Sequence, residues 1–192
     1  MKNKSILKVS MAALLLVAIT ACRDTSKTAE QNAQVSTSKA VASKAKDILP
    51  EAPSLPVLDL VGVLNPEDMR EITEKSLELD SLKLAQVAVV IVDDLKGLKA
   101  LDYATALDNK WGVGHKETND GITIVVKPKT PEAKGEVAIA TGTGMETILT
   151  DKMCQHICNQ EMIPEFKKND YGKAIEEAID KIKDILTSKN KD

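Results

Sequence analysis

The run Gln86-Val87-Ala88-Val89-Val90-Ile91-Val92 constrains the fold of this chain more than any other segment. It is rich in β-branched residues, which favour extended backbone, and it is too short to make a stable helix. It also lacks the polar alternation of a strand with one wet face. The run therefore predicts a strand buried on both faces, and such a strand needs a layer of structure on either side. Asp93-Asp94 ends it.

Helices to build those layers are readable on both sides of the run. Asn65-Pro66-Glu67-Asp68 is a helix start, with Asn as cap, Pro in the first turn and two acids facing the positive end of the dipole. Met69, Ile72, Ser76, Leu79 and Leu82 follow at helical spacing, which predicts a helix to about Lys83. Leu98 to Lys110 reads as a second helix with Leu101, Ala104 and Leu107 inward, stopped by the glycines around Trp111. Ile122–Lys127 and Glu136–Thr141 read as strands of an antiparallel hairpin joined by a polar loop with two prolines. Thr150 is placed to cap a third helix reaching about Met162. Asp170 is placed to cap a fourth, whose Ile175, Ala178, Ile179, Ile182 and Leu186 form one apolar stripe. Alternation of helices and strands followed by a hairpin predicts an α/β fold, a three-layer α/β/α sandwich with a small mixed central sheet.

The amino terminus carries Lys2, Lys4 and Lys8, then an apolar run from Met11 to Ile19, then small residues before Cys22. The apolar run is about half the ~20 residues of a spanning helix, so residues 1–21 read as a secretory signal. Ile19-Thr20-Ala21-Cys22 resembles a bacterial lipobox, in which the cysteine is acylated and becomes the first mature residue. The alternative is cleavage near Ala21 that leaves Cys22 an ordinary thiol. Acylation would anchor the chain to a lipid bilayer in the bacterial cell envelope, on the periplasmic face or at the outer membrane. Residues 22–54 are rich in Lys, Ala, Ser, Thr and Gln and have no aromatic residue, so they read as a tether. Residues 55–187 are then one domain, and 188–192 a disordered tail.

Charge and composition exclude some functions. The formal net charge of −3 becomes −6 once the three signal lysines are removed, and no basic face of the kind nucleic acid requires can be drawn. Arg70 is the only arginine after the tether, which argues against guanidinium clamps on phosphate. One Trp, two Tyr and one Phe leave the core to Ile, Leu, Val, Ala and Met.

Two glycine-punctuated turns flank the expected hairpin: Trp111-Gly112-Val113-Gly114 with Asn119-Asp120-Gly121, and Thr141-Gly142-Thr143-Gly144-Met145-Glu146 with Thr150-Asp151. Glycines in such turns allow positive φ. Together with Val57-Leu58-Asp59-Leu60-Val61-Gly62 and Glu161-Met162-Ile163-Pro164-Glu165-Phe166, these segments resemble the TPM domain family from about Leu55 to about Leu186. The resemblance implies the same sandwich. It also implies that some members bind divalent cations at an acid-lined cleft and that a chloroplast member is associated with acid phosphatase activity. Many members continue into a carboxy-terminal membrane segment; Ser188 to Asp192 here are polar, and the expected anchor is the amino-terminal lipid.

If the three strands join as expected, Asn119 and Asp120 share one sheet edge with Thr141–Gly144, Glu146 and Asp151. These are hard oxygen ligands suited to Ca²⁺ or Mg²⁺. Asp59 matches the family pattern but topology does not bring it to that edge. Ordinary turn and cap chemistry is the competing account of each acid. Cys154, His156 and Cys158 make a poor tetrahedral metal set, and small core residues are the simpler account of the two cysteines. No catalytic residue can be assigned, since neither His115 nor His156 has an evident nucleophile partner. The leading expectation is a membrane-tethered, cation-binding accessory or scaffold module. A metal-assisted acid phosphatase, with Asp120 or Asp151 as base or nucleophile, is the alternative. A plain module binding an envelope protein partner through its last helix or its hairpin is the third.

Overall fold

The computed structural model describes residues 48–189; the expected signal, Cys22 and most of the tether lie outside them. Asn65 caps the first helix as the sequence predicts, and Asp68 completes a capping box that was not foreseen. Asn65 Oδ1 accepts the N–H groups of Glu67 and Asp68 at 2.8 and 3.0 Å, while the Asp68 carboxylate accepts the Asn65 N–H at 3.1 Å. Helix α1 runs from Pro66 to Ser81. The strand expected at Gln86 spans Gln86–Ile91 (β2), followed by α2 (Ala100–Trp111), β3 (Gly121–Lys127) and β4 (Glu136–Thr141). A short strand not foreseen from sequence, β1 (Val57–Asp59), precedes α1. Three residues carry too little periodicity to be read as a strand.

The sheet order is β1-β2-β3-β4, with β1, β2 and β3 parallel and β4 antiparallel to β3. Alternate residues of the central strands feed two cores. Val87, Val89, Ile91, Ile122 and Ile124 meet α1 and the carboxy-terminal helices on one face. Val90, Val92 and Val125 meet α2 on the other. The α/β/α sandwich is therefore the observed architecture. Both parallel crossovers step the same way across the sheet, yet α1 and α2 lie on opposite faces. One crossover must be left-handed, against a strong preference for right-handed connections.

Several elements depart from the sequence reading. The buried stripe of α2 is Ala100, Tyr103, Ala104 and Leu107, whereas Leu101, expected inside, is 50% exposed. Ala104 and Leu107 stay inward as expected, and the buried face extends toward Ala100 and Tyr103 rather than Leu101. The single helix expected from Thr150 to Met162 is α3 (Asp151–Ile157), a π-helical turn (Cys158–Met162) and α4 (Ile163–Phe166). Pro164 supplies the reason, because its ring has no N–H to donate and would crowd the Gln160 carbonyl in a regular helix. Thr150 holds the cap position of α3 but its side chain makes no capping bond; its carbonyl accepts from Met153 and Cys154. The last helix, α5 (Tyr171–Lys189), buries the whole expected stripe and continues through Ser188, where a tail was expected. Among the described residues no helix is long and apolar enough to cross a membrane.

The two stripes make opposite predictions. Ile179→Ala, at a fully buried position, is expected to destabilise by about 2–5 kcal/mol. Leu101→Ala is expected to stay within about 0.5 kcal/mol of the parent. Urea unfolding of both variants checks the assignment.

Candidate functional site

The start of β3 and the end of β4 meet at one edge of the sheet. The Gly142 N–H donates to the Gly121 carbonyl at 2.8 Å and the Gly144 N–H to the Asn119 carbonyl at 3.1 Å. Glycine is required at both positions for closeness rather than for positive φ. A Cβ on Gly142 would overlap the Asn119 carbonyl oxygen, and one on Gly144 the Thr118 carbonyl oxygen. Positive φ falls instead on Gly112, Gly114 and Asn119, the last at 49°, a conformation Asn tolerates better than most residues.

The oxygen-bearing side chains of this edge divide into two kinds. Asn119, Glu146 and Asp151 are exposed. Asp120 is 6% exposed. Its Oδ1 accepts the His115 N–H at 2.7 Å, and its two oxygens lie 3.1 and 3.2 Å from His115 Nδ1. Burial pushes the Asp120 carboxyl up, but the His115 N–H, the Thr118 hydroxyl and the His115 ring outweigh it and hold it below the usual carboxylate range. Asp59 stands at the opposite end of the sheet. Its oxygens accept the N–H groups of Val61, Gly62 and Leu64 at 2.7–2.9 Å, which ties down the loop into α1. Among the described residues no three His, Cys, Asp or Glu side chains converge as an ion-binding group.

His115 links two parts of the fold that sequence spacing does not connect. Its Nε2 lies 3.2 Å from Asp80 Oδ1 on the last turn of α1, so the imidazole stands between two carboxylates. Asp80 was missed because nothing in a helical stripe marks which polar residue will face a distant loop. Among the described residues the His115 ring hydrogen-bonds the Asp120 carboxylate and no hydroxyl or thiol.

Two further motifs prove structural. Cys154 and Cys158 are free and buried. Burial, with Cys158 and Asp151 nearby, pushes the Cys154 thiol up to about 12, and burial pushes Cys158 up to about 11. Neither is a nucleophile near neutral pH. The Trp111 indole N–H donates to the Pro50 carbonyl at 2.9 Å, and Lys110 Nζ donates to the Leu49 carbonyl at 2.8 Å. Leu49 is 5% exposed, so the chain docks on the domain several residues before Leu55.

Because its folded pKa is lowered, Asp120 contributes stability that is fully present above about pH 3.9, the unfolded value. That contribution is lost as pH falls through the lower folded value. Asp120→Asn is expected to be less stable than the parent at pH 7, with the difference shrinking below about pH 3.9. Urea midpoints from pH 7 to pH 2 check this.

Comparison with solved structures places the fold among known domains. The N-terminal domain of a protein from P. gingivalis, solved by NMR, is 24% identical with a TM-score of 0.62, over 71% of this chain and 84% of that one. The N-terminal domain of a Corynebacterium glutamicum protein is 16% identical with a TM-score of 0.52, over 73% and 85%. Both likenesses concern the fold alone. No curated protein matches the sequence. The family model of the TPM domain matches residues 57–185, from β1 to the last turns of α5, and the chain belongs to the TPM domain family.

Proposed function

We propose that this protein is an accessory module of the bacterial cell envelope, held to a bilayer by an acylated Cys22, whose TPM domain binds a divalent cation at the β3–β4 edge. One observation carries the reading. The two backbone bonds from Gly142 and Gly144 clamp the turn bearing Asn119 to the turn leading to Glu146 and Asp151. Exposed oxygen donors then stand on two strapped turns. Ca²⁺ accepts amide and backbone carbonyls, carboxylates and waters in flexible geometry, so it needs no cage of three carboxylates; Mg²⁺ would keep more of its waters. In this reading Asp120 positions the first turn through His115, and Asp59 holds a different loop.

Calorimetric titration of the purified full-length chain with CaCl₂ and MgCl₂ tests the site. Glu146→Gln and Asp151→Asn are expected to weaken binding by about tenfold each. Asp59→Ala is expected to destabilise the fold by about 1–3 kcal/mol while leaving cation affinity unchanged. Absence of binding at millimolar cation would remove the site and the cation-assisted enzyme together.

Acid phosphatase activity is the second reading, supported by His115 standing between two carboxylates. Cation-dependent hydrolysis of p-nitrophenyl phosphate, lost in Asp120→Ala and Asp151→Ala with the fold intact, would put it first. A partner-binding role draws on a different feature, a groove of about 970 Å³ between the hairpin loop, the start of α2 and the α4–α5 turn. Lys99, Lys127, Lys129 and Lys167 lie along it beside Phe166 and Tyr171, which suits an acidic protein surface.

A further inference from the structure

The sheet has an open edge at β4. Among the described residues no strand follows it in the order β1-β2-β3-β4. Register decides which of its backbone groups face outward. The Gly142 N–H donates to the Gly121 carbonyl, one step beyond the opposed pair Ile122 and Thr141. Bonded and non-bonded pairs alternate along an antiparallel ladder, so Ala140, Ala138 and Glu136 bond to β3, while Val137 and Ile139 turn their N–H and C=O groups away from it. The groove of about 970 Å³ runs along the first half of this edge, past Glu136, Val137 and Ala138, and Val137 is only partly buried.

Both helical layers contribute walls to this groove. Leu101, half exposed, comes from α2 on one face of the sheet. Phe166 and Tyr171 come from the layer on the other face, with ring centroids 5.1 Å apart. A fifth strand laid along β4 would lie between the same two layers that cover β2 and β3, its alternate side chains reaching Leu101 and the aromatic pair. The charge around it has one sign. Lys99, Lys127, Lys129 and Lys167 line the groove against a single acid, Glu136, whose Oε1 lies 3.7 Å from Lys127 Nζ. Lysines can guard an open edge against unwanted pairing, but a guard of that kind sits on the edge strand, and β4 carries none. These four belong to the start of α2, the hairpin and the α4–α5 turn.

We propose that the β4 edge takes an extended acidic segment of a partner protein as a fifth strand. Its backbone pairs at Val137, its apolar side chains meet Leu101 and the Phe166 and Tyr171 rings, and its carboxylates meet the lysines. Addition to a sheet edge draws affinity from main-chain bonds and selectivity from the pockets that receive alternate side chains. Charge commits the occupant, since a local surplus of lysine in a chain of net charge −3 selects acids. The chain's own tether does not meet that requirement, because residues 23–47 hold five basic and three acidic side chains. The inference rests on the partner-binding reading of the groove and deepens it, and the cation-binding turns use other residues.

Fluorescence anisotropy tests this with full-length protein and a fluorescein-labelled peptide that has valine, tyrosine and valine at its centre and a pair of glutamates on either side. Saturable binding is expected, at least about tenfold tighter than for the same peptide with glutamine in place of glutamate. N-methylation removes the donors from one edge of the peptide at a time. Of the peptides methylated at both valines or at the tyrosine, one is expected to lose about tenfold in affinity and the other to keep it. Leu101→Ala, which the packing leaves stable, and Lys167→Gln are each expected to weaken binding by about threefold or more. The same affinity in both methylated peptides would overturn strand addition and leave only a charge-selected partner. No binding at millimolar peptide, or equal affinity for the glutamine peptide, would overturn the acidic partner as well. Self-association of the parent that Leu101→Ala abolishes would assign the edge to a second copy of this chain and overturn the proposal.

Discussion

Everything in this fold depends on hiding β2 and β3 from water on both faces. From Val87 to Ile91 and from Ile122 to Val126 the side chains are buried almost without exception. Polar backbone at that depth must be paired, and the parallel β2–β3 ladder pairs it. The helices are placed by this demand, α1 with α5 over one face and α2 over the other. The left-handed crossover is a consequence. Covering both faces while stepping twice in the same direction across the sheet cannot be done with two right-handed connections.

Where the ladder stops, the structure acquires its distinctive surfaces. β1 is too short to cover the first half of β2, and a proline-bearing strap closes over the gap instead of pairing with it. At the same end of the sheet, close backbone approach at Gly142 and Gly144 brings two acid-bearing turns together. His115 stands between these regions, touching Asp80 beside the gap and Asp120 beneath the turns. The opposite end of the sheet carries Asp59, whose carboxylate is used by its own loop, and the lysine-lined groove.

Electrostatics on the outer seam between α1 and α5 follow different rules. Lys75 pairs with Asp180 and Lys183 with Glu78 across the seam, at 2.7 and 2.6 Å. Such partly exposed pairs each contribute little, about 0–1 kcal/mol. Nearby, burial and the Glu71 carboxylate push Glu176 up to about 7. A carboxyl pKa raised in the folded state makes this part of the seam most stable below the ordinary value of about 4.5, and that contribution is lost as pH rises through about 7. The seam holds because Ile72, Leu79, Ile175 and Ile179 are buried beneath it.

Much of the architecture was legible in the sequence because it rests on periodicity and local chemistry. The β-branched run of β2, the Asn65 cap and the Ile175-to-Leu186 stripe each state their own structure within a few residues. The meeting of Asn119 with Gly144 followed from strand order, and the family from turn residues in sequence. Tertiary structure alone decided what depends on distant partners. It selected Tyr103 over Leu101 for the core, inserted a π turn before Pro164, and set Asp120 on His115 and His115 on Asp80. It also left Ser76 Oγ and Asp80 Oδ1 buried without hydrogen bonds, which no local pattern announces. Local pattern reports which way a side chain faces relative to its own element, while partners and cavities arise only when separate elements are brought together.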